Sequence, residues 1–168
     1  MLEPKPISKD SIPKALERAE HYRLLNEPWQ AESICRDILS VEPDNHDAVL
    51  NLLLAITDQF SNENISSYAS ESKKLCNRLV SDYEQKYYRG IIEERLGKTS
   101  LSRNIPRVRY IAYEHYRSAM DFFEEAQKIE PEGHQDAILR WNACLRRIKE
   151  NKLMRSPDDQ HIQPFLDV

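Results

Sequence analysis

Glycine is scarce in this chain, three residues in 168, and the β-branched runs that strands favour are missing as well. With 31% charged residues, that composition points to an all-helical scaffold. Cysteine is sparse too: three residues, an odd number without metal-type spacing, fit a reduced compartment better than a disulfide framework. No long apolar run exists, since the longest stretch, Ala48 to Ile56, is interrupted by Asn51, and the opening MLEPKPISKDSIPK has no apolar signal core. Both features argue against secretion and membrane spanning, and a cytoplasmic address is the expectation in the absence of other signals. Charge of one sign is lacking as well: a net of -4 marks neither a nucleic-acid binder nor an acidic tail protein. The length suits one domain able to bury a continuous core if its helices stack.

What the chain does contain is an internal echo. Ala31 to Pro43 (AESICRDILSVEP) and Ala119 to Pro131 (AMDFFEEAQKIEP) each begin a helical run with a small residue and close with Glu-Pro. A His, an acidic residue and an Ala follow each of them. A third, fainter copy aligns Leu75 to Ser81 with Ile34 to Ser40, setting Cys76 where Cys35 stands.

Helical periodicity fills the space between. Residues 1–10 are expected to be loosely packed. Ser11 is a plausible N-cap for a helix running to about Leu25, with Pro13 in its first turn and Ala15, Leu16, Ala19, Tyr22 and Leu25 on one stripe. Asn26 starts the next helix with Pro28 in its first turn, and Trp29, Ala31, Ile34, Cys35, Ile38 and Leu39 continue the period. Pro43 stops it, and Asn45 caps a third helix through Ile56. The partner of that helix follows the polar loop 61–64. A later helix carries Gly90 and Gly97, seven apart, which permit close helix approach and a tight exit. The final helix, Gly133 to about Lys152, has an apolar stripe flanked by basic residues and reads as an end cap.

Over residues 11–152 the chain resembles the tetratricopeptide (TPR) repeat family, helical pairs with a period of about 34 residues. The resemblance is carried by Ala15, Ala19, Tyr22, Ala31 and Pro43, and by Gly90, Gly97, Tyr116, Ala119 and Pro131. It implies an all-α fold: an α-α superhelix of about three helix pairs plus a C-terminal capping helix, with a tail at 153–168. Cys35, Cys76 and Phe123 stand 41 and 47 residues apart, so insertions are expected near 59–66 and 98–114.

In the TPR family the first helix of each pair lines a concave groove that holds an extended peptide or a partner helix. By resemblance that surface includes Glu17, Glu20, Arg23, Asn51, Leu54, Tyr88, Ile91, Arg95 and Asn142, with Leu54 and Ile91 as its apolar contacts. The family's clamp for chaperone tails is not expected, because Leu16 and Glu20 stand where its Lys and first Asn belong and only Asn51 matches.

Two His-acid pairs, His46 with Asp47 and His134 with Asp136, are the best candidates for acid-base or metal chemistry. Each sits at the start of a first helix, where an acid is favoured by the helix dipole, so no catalytic residue, metal or cofactor is expected. The remaining signal is basic: Arg103, Arg107 and Arg109, interleaved with apolar and aromatic residues and no acid, suit an acidic partner surface or, less well, phosphates. Ile162, Phe165 and Leu166 of the tail are candidates to dock into a groove. The reading is a non-catalytic protein-protein interaction module, a scaffold or adaptor. Its alternative is a small regulatory or assembly subunit contacting nucleic acid or an acidic partner through 98–110. Another protein is the expected partner, with nucleic acid disfavoured and no membrane.

Overall fold

The structure, a computed structural model, describes residues 1–61 and 64–157. It is all-α: seven helices and no strand among the described residues. They run α1 Ile12–Leu24, α2 Pro28–Val41, α3 His46–Thr57, α4 Ile65–Cys76, α5 Asp82–Leu101, α6 Val108–Gln127 and α7 Asp136–Glu150. The chain divides into two compact units, Met1–Leu79 with α1 to α4 and Val80 onward with α5 to α7. The tail residues Ile162, Phe165 and Leu166 lie outside the described residues.

In the first unit, neighbouring helices pack antiparallel while alternate helices run parallel. Ile12 of α1 meets Ile38 of α2 and Ala48 of α3 in one apolar cluster, with Ala15, Leu16 and Ile34 against it. Parallel contacts then recur at a nearly fixed sequence separation. Arg23 of α1 pairs with Asp58 after α3 at 2.8 Å, Arg36 of α2 with Glu71 of α4 at 2.9 Å, and Arg78 donates to the Pro43 carbonyl. Each of these three pairs is 35 residues apart.

Local chemistry sets the boundaries. Asn45 caps α3 as expected, its Oδ1 accepting from the Ala48 N–H at 2.9 Å. Asn26 does not open α2; it closes α1, in the left-handed region at φ 59, with the Glu27 N–H bonded to the Tyr22 carbonyl. This is a Schellman-type end, for which Asn is one of the few tolerable non-Gly residues. As a consequence Leu25 and Trp29, placed by periodicity on the buried stripes, stand 57% and 61% exposed. The N-terminal segment contains a 3₁₀ turn at Lys9–Ser11, and Ile7 packs against the Ile12 cluster. α4 ends at Cys76, so the segment aligned with the middle of α2 leaves the helix; Leu79 nonetheless turns back into the core.

The second unit is an antiparallel pair followed by one more helix. Gly90 faces Phe123 and Gly97 faces Tyr116, a rising number matched by a falling one. A Cβ on Gly90 would lie 2.5 Å from Phe123 Cε1, so the close approach expected of these glycines is present. The expected tight exit at Gly97 is not: α5 continues to Leu101 and α6 begins at Val108, leaving a link of only six residues, 102–107. Pro106 is the first residue after Gly97 that forbids continuation, which is why most of 98–114 is helix. α7 runs back along α6, the Trp141 indole donating to Glu124 at 2.8 Å and the Ala137 N–H to Glu130 at 3.0 Å.

Candidate functional site

The predicted groove residues of the first unit come from α1 and α3, which are brought side by side. Arg23 is tied to Asp58, and Asn51 is buried, its amide donating to the Asp47 carbonyl at 3.0 Å and reaching Glu20 at 3.5 Å. Asn51 therefore serves as a link between α1 and α3 in this structure rather than as an open peptide contact. Leu54 is half-buried one turn further on, and Glu17 is exposed, its carboxyl held below the usual range by Lys14. What remains of the predicted set in this unit is the charged Glu17, Glu20 and Arg23 and the half-buried Leu54.

In the second unit, Tyr88 and Arg95 of α5 are half-buried, as is Asn142 of α7. Ile91, expected to be exposed beside Leu54, is 2% exposed and belongs to the core. Its position follows from the α5 register. The two glycines fix the face of α5 that meets α6, and Ile91 lies next to Gly90 on that side, so the apolar residue is packed rather than presented. Beside it both Glu94 oxygens accept from one nitrogen of Arg140 of α7, at 3.4 Å each; burial raises the carboxyl, against the pull of Arg140, Arg95 and Arg147.

The basic stretch 98–110 is split by the structure. Lys98 stays on the last turn of α5, Arg103 and Arg107 occupy the link, and Arg109 is exposed in the first turn of α6. Arg107 is the N-cap residue of α6, in the left-handed region at φ 61, and its side chain makes no capping bond. Instead its guanidinium donates to Ser156 Oγ at 2.7 Å and lies 5.6 Å from the centre of the Tyr110 ring. This bond joins two segments that the sequence keeps 49 residues apart. A cation at a helix N-terminus opposes the macrodipole by about 0.3–1 kcal/mol, and a left-handed non-glycine residue costs about 1 kcal/mol or more. Both costs fall on the same short link.

The two His-acid pairs are both local contacts. His46 Nδ1 lies 3.4 Å from Asp47 and His134 Nδ1 3.7 Å from Asp136, each at the start of a helix. Among the described residues no three His, Cys, Asp or Glu side chains converge to hold a metal ion. All three cysteines are buried, and burial pushes the thiols of Cys35 and Cys144 up to about 12, far from nucleophilic.

Two buried polar clusters escaped the reading of the sequence. Glu32, 7% exposed, accepts from Gln59 at 2.7 Å, Tyr68 at 3.2 Å and Arg36 at 2.8 Å, joining α2 to the end of α3 and to α4. His115 Nδ1 of α6 lies 2.8 Å from Glu93 of α5, both buried, and His115 Nε2 has no hydrogen-bond partner among the described residues. The one available signal was position. Glu32 follows Ala31 on the inner face of α2, and Glu93 lies between the paired glycines, where a surface charge is out of place.

No helix among the described residues is long and apolar enough to cross a membrane. Comparison of the chain with protein families, with curated proteins and with solved structures gives no match.

Proposed function

We propose that this chain is a non-catalytic, TPR-like interaction module that holds a peptide or a partner helix on the faces of its first helices. In the first unit that face is formed by α1 and α3, around Glu17, Arg23 and Leu54; in the second it includes Tyr88 and Arg95 of α5. The observation that carries the reading is the recurrence of parallel cross-helix contacts 35 residues apart in α1 to α4, close to a TPR period. Such a stack leaves each first-helix row with neighbours on two sides and a third side for another molecule.

The test is affinity capture from the source organism with the intact protein beside Leu54→Asp, each checked for helicity by circular dichroism. A specific partner retained by the wild type and lost by the folded variant supports the face. An identical set of captured proteins for the two would remove it.

A second reading, a regulatory or assembly subunit acting through 98–110, is favoured by the Arg107–Ser156 bond, which sets that stretch beside the basic end of α7.

A further inference from the structure

We propose that the second unit carries a basic pole that binds a short acidic segment of a partner protein. The inference rests on the reading of the chain as a protein-binding module but not on the α1–α3 face.

The pole is a product of topology. α5 runs toward it, α6 runs away from it and α7 returns to it, as the Gly97–Tyr116 approach and the Trp141–Glu124 and Arg107–Ser156 bonds require. Residues 95–109 and 146–155 therefore meet at one end of the unit. Together these stretches contain ten Lys and Arg against a single carboxylate, Glu150. Residues 82–88 and 121–136 meet at the other end, with eight carboxylates against Lys86 and Lys128. Eight of the ten cations at the basic end are exposed, all but Arg95 and Arg103.

The structural explanation covers part of this. Lys98 and Lys149 lie in the last turns of α5 and α7, where a cation complements the helix dipole. The dipole does not favour Arg107 and Arg109, which sit at the start of α6; Arg107 is held there by Ser156 and the Tyr110 ring, and Arg109 is exposed in the first turn. Cations gathered where they weaken a helix, on a link held in a left-handed turn, are best explained by a ligand of opposite charge.

Size and charge separation select the ligand. A 20-residue helix spans about 30 Å, so the acidic end stands within a few screening lengths of the basic one. A long polyanion crossing the unit meets repulsion beyond the pole, whereas a few clustered Asp or Glu side chains fit within it. Arginine predominates at the pole, and its planar fork matches carboxylates in pairs.

The experiment is fluorescence anisotropy of a labelled ten-residue oligoglutamate peptide against the full chain at two salt concentrations, beside a labelled 20-mer of oligothymidine. We expect saturable binding of the peptide, weakened at least tenfold in Arg109→Glu/Arg146→Glu/Lys149→Glu and unaffected by Glu132→Lys at the opposite end. Unchanged melting temperature and helicity establish that the triple variant is folded. Absence of peptide binding, equal binding by the triple variant, or tighter binding of oligothymidine with a steep salt dependence would each overturn the proposal. Leu54→Asp separates the two ideas: it should leave peptide binding intact even though it removes a partner of the α1–α3 face.

Discussion

Cys35 and Cys144 illustrate how burial alone converts a reactive residue type into packing material. Their thiols sit in the core and are pushed up to about 12 from an ordinary 9.0, because a buried thiolate loses its hydration. Unfolding above pH 9 therefore releases protons that the folded state retains. Stability falls as pH rises from about 9 toward 12, by about 1.4 kcal/mol per pH unit for each thiol. Urea melts from pH 8 to 10 measure that slope, and Cys35→Ala should make it shallower even though the variant starts less stable; an unchanged slope would contradict the burial. Glu130 shows a different limit of the sequence. The echoed Glu-Pro pairs are plain to read, but what each Glu does is not. Glu42 accepts from the Asn45 side chain at 3.1 Å, holding the link into α3, while Glu130 accepts from the Ala137 N–H and the Tyr83 hydroxyl at 3.0 and 3.1 Å. The partner of Glu42 is three residues away, whereas Tyr83 lies on another helix altogether.

Helix pairing in the second unit turns on α5. The spacing of its glycines was legible because seven residues return to one face of a helix. Which atoms fill the space was not, since Phe123 and Tyr116 arrive from a helix whose start the polar stretch 98–106 obscured. Gly90→Ala places a methyl 2.5 Å from Phe123 Cε1, a ring itself fully buried and 5.7 Å from the Tyr87 ring centre. Overpacking of about 1–3 kcal/mol is set against a gain of about 1 kcal/mol in helix propensity, for a net loss of about 0–2 kcal/mol. Gly97→Ala meets Tyr116 at 3.0 Å and should be closer to neutral. Chemical denaturation of the two variants tests this order, and equal stabilisation by both would show the α5–α6 register to be wrong.

At the scale of the chain, the sequence suggested one continuous array over 11–152, and the structure divides into two compact units at Leu79 and Val80. The boundary is hard to see because Asn77 to Ser81 contains no Gly or Pro, and Leu79 is buried while Val80 is exposed. The first unit closes its own apolar cluster around Ile12, Ile38 and Ala48 and satisfies Glu32 internally. Residues 1–79 expressed alone should therefore retain helical circular dichroism and unfold cooperatively in urea. A gradual, non-cooperative loss of signal would mean that the unit depends on the rest of the chain.

Periodicity, proline stops and the Asn45 cap determined by themselves that the chain is helical and roughly where most helices lie, because these signals act within a few residues. Tertiary structure decided which residues meet. It buried Ile91, locked Asn51 between α1 and α3, joined Glu32 to Tyr68, and set Arg107 against Ser156. Those contacts link positions 31 to 49 residues apart, or depend on which face of a helix its neighbour covers. Local preference carries no information at that range; packing of the apolar faces supplies it, and the charged surfaces take their arrangement from that packing.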